Sequence, residues 1–288
     1  MDKIVSIKVI KYDNTEFMID NTVWRIPSNG LDGFANITNE IGSQKRIYSD
    51  GATLGSIRTS EVDRTVSCSV INQNNNEELR QKAIKFFNSK KKYKLVINYM
   101  GLQRWCEGYL SKVQISQGNI YQPVSLQFTI TCLDPYFRSM DNFGQDIASV
   151  MSLVGFPYHS RTEWGGHPVG YYNFSRSVKI YNDGDVPTNV RVVINALGDV
   201  VNPKFVINDK YVRILDELSE NDTVEIDFTS QPPTVKKNGA NIIGKCDRTS
   251  NFSDMQIQLG ENMVSYNADT GDTFLTCSVY YNKNYLMI

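Results

Sequence analysis

Histidine is scarce in this sequence, with only His159 and His167 among 288 residues. A Ser-His-Asp or Cys-His hydrolase would have to recruit one of these two side chains, and no nucleophile motif accompanies them. The glycine-rich phosphate loops G-x-x-x-x-G-K and G-x-G-x-x-G are absent, which removes the usual signature of nucleotide binding. We therefore expect a protein that is not an enzyme and that requires no cofactor.

Paired cysteines and long apolar runs are also missing. The cysteines are odd in number, widely spaced and free of any C-x-x-C pair, so neither a disulfide framework nor a zinc knuckle is indicated. No stretch has the length and apolarity of a membrane helix or a secretory signal, so we expect no membrane partner and synthesis in the cytoplasm with reduced thiols. The five cysteines are Cys68, Cys106, Cys132, Cys246 and Cys277.

Charge is unevenly distributed along the chain. Residues 1–140 carry 18 Lys and Arg against 13 Asp and Glu, whereas the rest carries 12 against 18. A domain that binds nucleic acid usually concentrates far more positive charge, because phosphate neutralisation supplies most of the affinity. We expect no nucleic-acid partner, and two halves that face different neighbours or each other.

The strongest periodic signal alternates apolar and polar residues. This period of two is typical of strands with one buried and one solvated face, and so of antiparallel sheets. Turn residues separate the runs, and Asn238-Gly239 predicts a type I′ hairpin. We predict a mainly β fold, with an antiparallel β-sandwich or barrel-like N-terminal domain and a C-terminal β-sandwich. The apolar positions are Val66, Cys68 and Val70; Leu126, Phe128, Ile130 and Cys132; Val224, Ile226 and Phe228; and Leu275, Cys277, Val279 and Tyr281.

The sequence predicts one α-helix, from approximately Asn76 to Asn88. Two glutamates occupy its first turn, which suits the helix dipole, and its apolar residues fall on one stripe. We expect this stripe to pack on the N-terminal sheet, and the three lysines that follow to be solvated. The stripe consists of Leu79, Ala83, Phe86 and Phe87, and the lysines are Lys90, Lys91 and Lys92.

Alternation stops after Phe137 and resumes near Val169, so we place a domain junction between them. We predict an N-terminal domain at 1–138, an aromatic and glycine-rich linker at 139–168, and a C-terminal domain at 169–288. The aromatic residues between Phe156 and Tyr172 either fill a seam between the domains, contact a protein partner, or stack on sugar. The candidate binding residues are Tyr158, Trp164, Tyr171 and Tyr172.

Two constellations could support chemistry. His159, Glu163 and His167 would share one face of a helix, but the prolines and glycines around them argue against a helix, and we expect no metal site. The carboxylate pairs at 183 and 185 and at 216 and 217 could serve a glycosidase, yet they lie in turn-like sequence where Asp caps backbone groups.

Six short motifs follow one another along the chain: Tyr48-Ser49-Asp50-Gly51-Ala52, Phe86-Phe87-Asn88, Cys132-Leu133-Asp134-Pro135-Tyr136-Phe137, Asn182-Asp183-Gly184-Asp185, Asn202-Pro203 and Leu259-Gly260-Glu261-Asn262. In this order they resemble the distal tail protein family of bacteriophages. The resemblance implies a ring-forming N-terminal domain with one α-helix and a C-terminal sandwich similar to galectin or carbohydrate-module folds. It also implies a hexameric ring at the virion tail tip, which joins the tail tube protein to the hub and docks receptor-binding or other baseplate proteins.

Two alternatives remain open at the level of sequence. One is a stand-alone carbohydrate-binding or receptor-binding tail module, and the other is a tail-associated cell-wall hydrolase. A fold that resembles carbohydrate modules does not by itself make a protein bind sugar.

Overall fold

The computed structural model describes residues 5–71, 76–88, 90–116, 123–141, 143–146, 149–152, 170–173 and 177–288, with backbone alone between 143 and 173. Contacts divide the chain into two compact units, Met1–Met140 with Asn284–Ile288, and Asp141–Lys283. The last five residues thus belong with the first unit. Most of the predicted linker, 139–168, lies outside the described residues, and its conformation stays a prediction.

The first unit is built from an antiparallel sheet, one helix and a separate hairpin. Its elements are β1 (Val5–Lys11), β2 (Glu16–Ile19), β3 (Trp24–Arg25), β4 (Leu31–Asp32), β5 (Asn39–Lys45), β6 (Ala52–Thr59), β7 (Val62–Val70), α1 (Asn76–Phe86), β8 (Lys92–Tyr99), β9 (Leu102–Ile115), β10 (Ser125–Cys132) and β11 (Phe137–Ser139).

The main sheet of this unit has the order β2-β1-β8-β9-β10-β7-β3, and β4 also pairs with β7. β11 pairs with β9 and with a strand from the C-terminal end of the chain, β27 (Asn284–Tyr285). Alternate residues of β7 and β10 face one core, as their sequence alternation predicts; Val66, Cys68, Leu126 and Phe128 are all buried there.

Helix α1 covers this core, as predicted from its apolar stripe. Ala83 is fully buried, and Phe87, just beyond the last helical residue, is 3% exposed. The Phe87 ring lies 4.6 Å from that of Phe128 on β10, so the end of the helix is fastened to the sheet by aromatic packing. Lys92 pairs with Glu107, and Lys91 lies over the ring of Tyr12.

The second unit consists almost wholly of strands. They are β12 (Phe143–Asp146), β13 (Ser149–Ser152), β14 (Gly170–Asn173), β15 (Ser177–Asn182), β16 (Thr188–Ala196), β17 (Val200–Val201), β18 (Lys204–Ile207), β19 (Lys210–Arg213), β20 (Glu217–Leu218), β21 (Thr223–Asp227), β22 (Thr234–Lys237), β23 (Ala240–Asn241), β24 (Gln256–Ile257), β25 (Gly260–Asn267) and β26 (Leu275–Tyr281), with short 3₁₀ turns at Ile243–Lys245 and Asp272–Phe274.

Two antiparallel sheets of this unit share a core, which makes it a β-sandwich. One has the order β12-β26-β16-β21-β22-β23, and the other has the order β15-β25-β18-β19. Inward residues of both, such as Val192 and Val264, are fully buried in the same cluster. Asn238 and Gly239 join β22 to β23 with φ of 49° and 83°, so the predicted hairpin forms with both central residues in the left-handed region. The predicted fold class is confirmed.

Among the described residues, no helix is long and apolar enough to cross a membrane.

Candidate functional site

The aromatic residues predicted as a binding site are only partly within the described residues. Tyr158 and Trp164 lie outside them, as do His159, Glu163 and His167. Tyr171 and Tyr172 lie in β14, which pairs with β13, but only their backbone is described. The binding role of these aromatics therefore stays a prediction, as does the absence of a metal among the histidines.

A different feature stands out in the first unit, namely the two-stranded hairpin formed by β5 and β6. We call residues 39–59 the arm. Its strands pair with each other, and no third strand joins them in the part of the chain that the structure describes. Every residue of the arm except Thr59 is exposed. A hairpin of this length has no core of its own and is at best marginally stable without a surface to pack on.

One face of the arm is apolar. Ile41 and Ile57 are directly paired across the two strands, and each leaves more than half of its surface exposed. Leu54, opposite Ser43, is 58% exposed. A register shift near Gly55 places Leu54 on the same face as Ile57, although the two are three positions apart and regular alternation would put them on opposite faces.

The other face of the arm is polar. Ser56 lies opposite Gly42, and Arg58 lies opposite Glu40, so the side chains on this face are small or charged. Such a division between an apolar and a polar face is expected of a strand pair that covers a surface on one side and meets solvent on the other.

The tip of the arm is also apolar. Tyr48 is 99% exposed and Ile47 is 86% exposed. Arg46 N–H donates to the Gly51 carbonyl across the turn, and Gly51 has a φ of 94°, which favours glycine. The motif at 48–52 thus forms the turn that presents Tyr48.

The base of the arm is attached to the segment that leaves the main sheet. Ser60 N–H donates to the Thr38 carbonyl at 2.9 Å, and the Tyr136 hydroxyl donates to Thr59 Oγ1 at 3.4 Å. Asp134 accepts from the backbone of Tyr136 and pairs with Arg138 at 2.7 Å. Within the 134–137 motif, Tyr136 is thus the residue that contacts the base of the arm.

The motifs in the second unit also hold turns. Asn182 accepts from Gly184 N–H at 3.0 Å and donates to the Ile257 carbonyl at 3.3 Å. Asn262 accepts from Gln258 N–H and donates to the Gln258 and Gly260 carbonyls. Both asparagines are buried, so their amides satisfy backbone groups that water does not reach.

One carboxylate of each pair considered for catalysis is ion-paired, Asp183 with Lys283 and Asp216 with Lys245. Lys245 donates to Asp216 at 2.8 Å, and this contact holds the pKa of Asp216 below its usual value. The hydrogen bond with Lys283 likewise lowers the pKa of Asp183. A general acid needs a raised pKa, so neither group is suited to that role. Among the described residues, no three His, Cys, Asp or Glu side chains cluster as metal ligands.

The second unit matches a known family of tail components. Residues 183–285 match the family described as the siphovirus-type tail component, C-terminal domain. No curated protein sequence matches the chain.

Solved structures extend the similarity over nearly the whole chain. The Dit protein of phage SPP1, described as a paradigm of the hub adsorption apparatus of phages that infect Gram-positive bacteria, is 11% identical with a TM-score of 0.64, over 96% of this chain and 98% of that one. A chain of the phage P2 baseplate in its activated conformation with calcium is 12% identical with a TM-score of 0.52, over 99% of both chains. The resemblance predicted from the sequence is confirmed, by family in the C-terminal part and by fold over the chain.

Proposed function

We propose that this chain, a phage tail component of the distal tail protein type, forms a structural ring at the virion tail tip. Six copies form this ring, which joins the tail tube protein to the hub. The observation that carries the proposal is the arm, which exposes Ile41, Leu54 and Ile57 on one face. Apolar surface arranged in this way is typical of protein contacts rather than of a solvated hairpin.

A second copy of the chain is the partner that best suits the apolar face of the arm. An arm that packs on a different patch of the next subunit makes a heterologous contact, and such contacts close into rings when the rotation is right. The main sheet of the first unit has a short strand at each end, β2 at one and β3 at the other. Six copies and the tube and hub partners follow from the family resemblance.

The second unit would then serve as the docking platform for a receptor-binding or other baseplate protein. Its match to the tail component C-terminal domain supports this placement. The ion-paired carboxylates at Asp183 and Asp216 support a scaffold without catalytic activity. Zymography on host cell wall and a saccharide-binding screen test the two alternatives, since lysis of the wall or specific sugar binding by the isolated protein would each favour a different function.

The ring is tested by native mass spectrometry of the protein alone and with its tube and hub proteins. Ile57→Lys places a charge on the apolar face of the arm, whereas Ser56→Lys places the same charge on the adjacent polar face and is the matched control. We expect hexamers for the unmodified chain and for Ser56→Lys, and monomers for Ile57→Lys. Monomers of the unmodified chain under every condition, or unchanged assembly of Ile57→Lys, would refute the proposal.

A further inference from the structure

The core of the first unit contains a buried cation. Arg64 on β7 is 1% exposed, its Nη2 donates to the Pro135 carbonyl, and its guanidinium lies 3.4 Å from the centre of the Phe137 ring. Its Nε and Nη1 atoms are buried and have no hydrogen-bond partner among the described residues. Burying a charge is costly unless a counter-ion or a full set of hydrogen bonds compensates it, and the ring supplies only part of that compensation.

No carboxylate serves Arg64 as a counter-ion in the described part of the chain. Asp63 is its neighbour in β7 and therefore points to the opposite face, where it accepts from the Thr131 hydroxyl. Asp134 is committed to Arg138 and to the Tyr136 backbone. Within the described residues, neither of these carboxylates compensates the charge of Arg64.

Two thiols lie on the same inner face as Arg64. Cys132 on β10 is fully buried and pairs with Val62, which places Arg64 on the diagonal from it. Thr131 pairs with Tyr109 on β9, so Cys132 adjoins Gly108, and the buried Cys106 lies two residues further along the same face. The inward side chains of Arg64, Cys132 and Cys106 thus follow one diagonal across three adjacent strands.

The electrostatics of the two thiols differ from those of an isolated buried cysteine. Burial raises the pKa of Cys106, whereas the hydrogen bond with Cys106 lowers the pKa of Cys132, and the Arg64 charge acts in the same direction. Asp63 and Asp134 oppose this effect. In the same core, burial alone raises the pKa of Cys68 to about 12.

We propose that Cys106 and Cys132 share a single proton, and that the resulting thiolate is the counter-ion of Arg64. The three side chains then form one buried thiol–thiolate–guanidinium site. Through Arg64 the site holds Pro135 and Phe137, and so fixes the segment that leaves the first unit. The proposal concerns the folded single chain and does not depend on the ring.

The site is tested by the ultraviolet absorbance of thiolates, titrated in the folded protein from about pH 6 to about pH 9, around the ordinary thiol pKa of about 8.5. We expect one thiolate per chain with a midpoint below that value. Cys132→Ser should abolish it, and Cys106→Ala should move the midpoint upward because the shared proton is lost. Cys68→Ser is the matched control and should leave the titration unchanged.

The titration in denaturant provides the reference, since all five thiols should then titrate near their ordinary value. Near-ultraviolet circular dichroism verifies that each variant is folded, and Cys106→Ala carries the test if Cys132→Ser does not fold. If Cys106 served only to pack against Cys132, removing it would not move the titration midpoint of Cys132. A folded protein without thiolate absorbance below about pH 9, or a signal lost in Cys68→Ser, would overturn the proposal.

Discussion

Replacing Phe87 by alanine should unfold the first unit at a markedly lower temperature. The Phe87 ring is 3% exposed and contacts the rings of Phe128 at 4.6 Å, Phe86 at 4.9 Å and Phe17 at 5.2 Å. Truncation would remove these contacts and leave a cavity between the helix and the sheet. Such substitutions cost about 3–5 kcal/mol when the site cannot collapse.

The magnitude can be expressed as a melting temperature. For a unit of this size, 1 kcal/mol corresponds to about 2–4 °C, so Phe87→Ala should lower the melting temperature of the first unit by about 6–20 °C. Differential scanning calorimetry or circular dichroism of the whole chain measures this shift. Ile84→Ala is the control, because Ile84 lies on the same helix but is 38% exposed, and surface positions usually change stability by less than about 0.5 kcal/mol.

Phe86 gives a second comparison. It is only partly buried against the same core, so Phe86→Ala should cost less than Phe87→Ala. Equal losses at Ile84 and Phe87, or a loss at Phe87 below about 1 kcal/mol, would show that the helix is not fastened to the sheet by this ring, since a buried Phe cannot be removed so cheaply.

Three further outcomes are expected. Gly33→Ala should destabilise the first unit strongly, because φ is 80° and the new Cβ would lie 2.0 Å from the Asp63 carbonyl oxygen. Gly51→Ala, at φ 94° with no atom near the new Cβ, should lower the free energy of unfolding much less. A urea titration measures both. The pKa of Asp222 is lowered from 3.8 to about 2, chiefly by the hydrogen bond from the Ser219 backbone. The stability that Asp222 contributes is therefore complete above pH 3.8 and is lost as the pH falls towards 2. Over that range the difference in melting temperature between the unmodified chain and Asp222→Asn should shrink. Removing Asn284–Ile288 deletes β27 and should expose the first unit to limited proteolysis, while the second unit stays resistant.

Sequence alternation predicted the regular strands because each has one buried face in its own unit. Val66, Cys68 and Val70 face the core in the order that their pattern indicates. The same pattern extended by two positions towards the N-terminus would have placed Arg64 among the inward residues. A charged side chain at an inward position of an alternating strand thus indicates a buried polar site.

The arm could not be predicted in the same way. Its apolar positions, 41, 54 and 57, share a face only because the strand pair has a register shift near Gly55, and a period of two does not reveal such an arrangement. The pairing of β27 with β11 could not be predicted either, because pairing between residues about 145 positions apart leaves no local sequence pattern.

The short motif at 134–137 links these features, since its residues contact Arg138, Arg64 and the base of the arm. Asp134 pairs with Arg138, Pro135 and Phe137 contact Arg64, and Tyr136 reaches the base of the arm. A heterologous ring closes only if every copy presents its contact in the same direction, because a small error in rotation would give an open filament instead. In the proposed ring, a fixed arm base would meet this requirement, and Arg64 contributes to it by its hydrogen bond to the Pro135 carbonyl and its contact with the Phe137 ring.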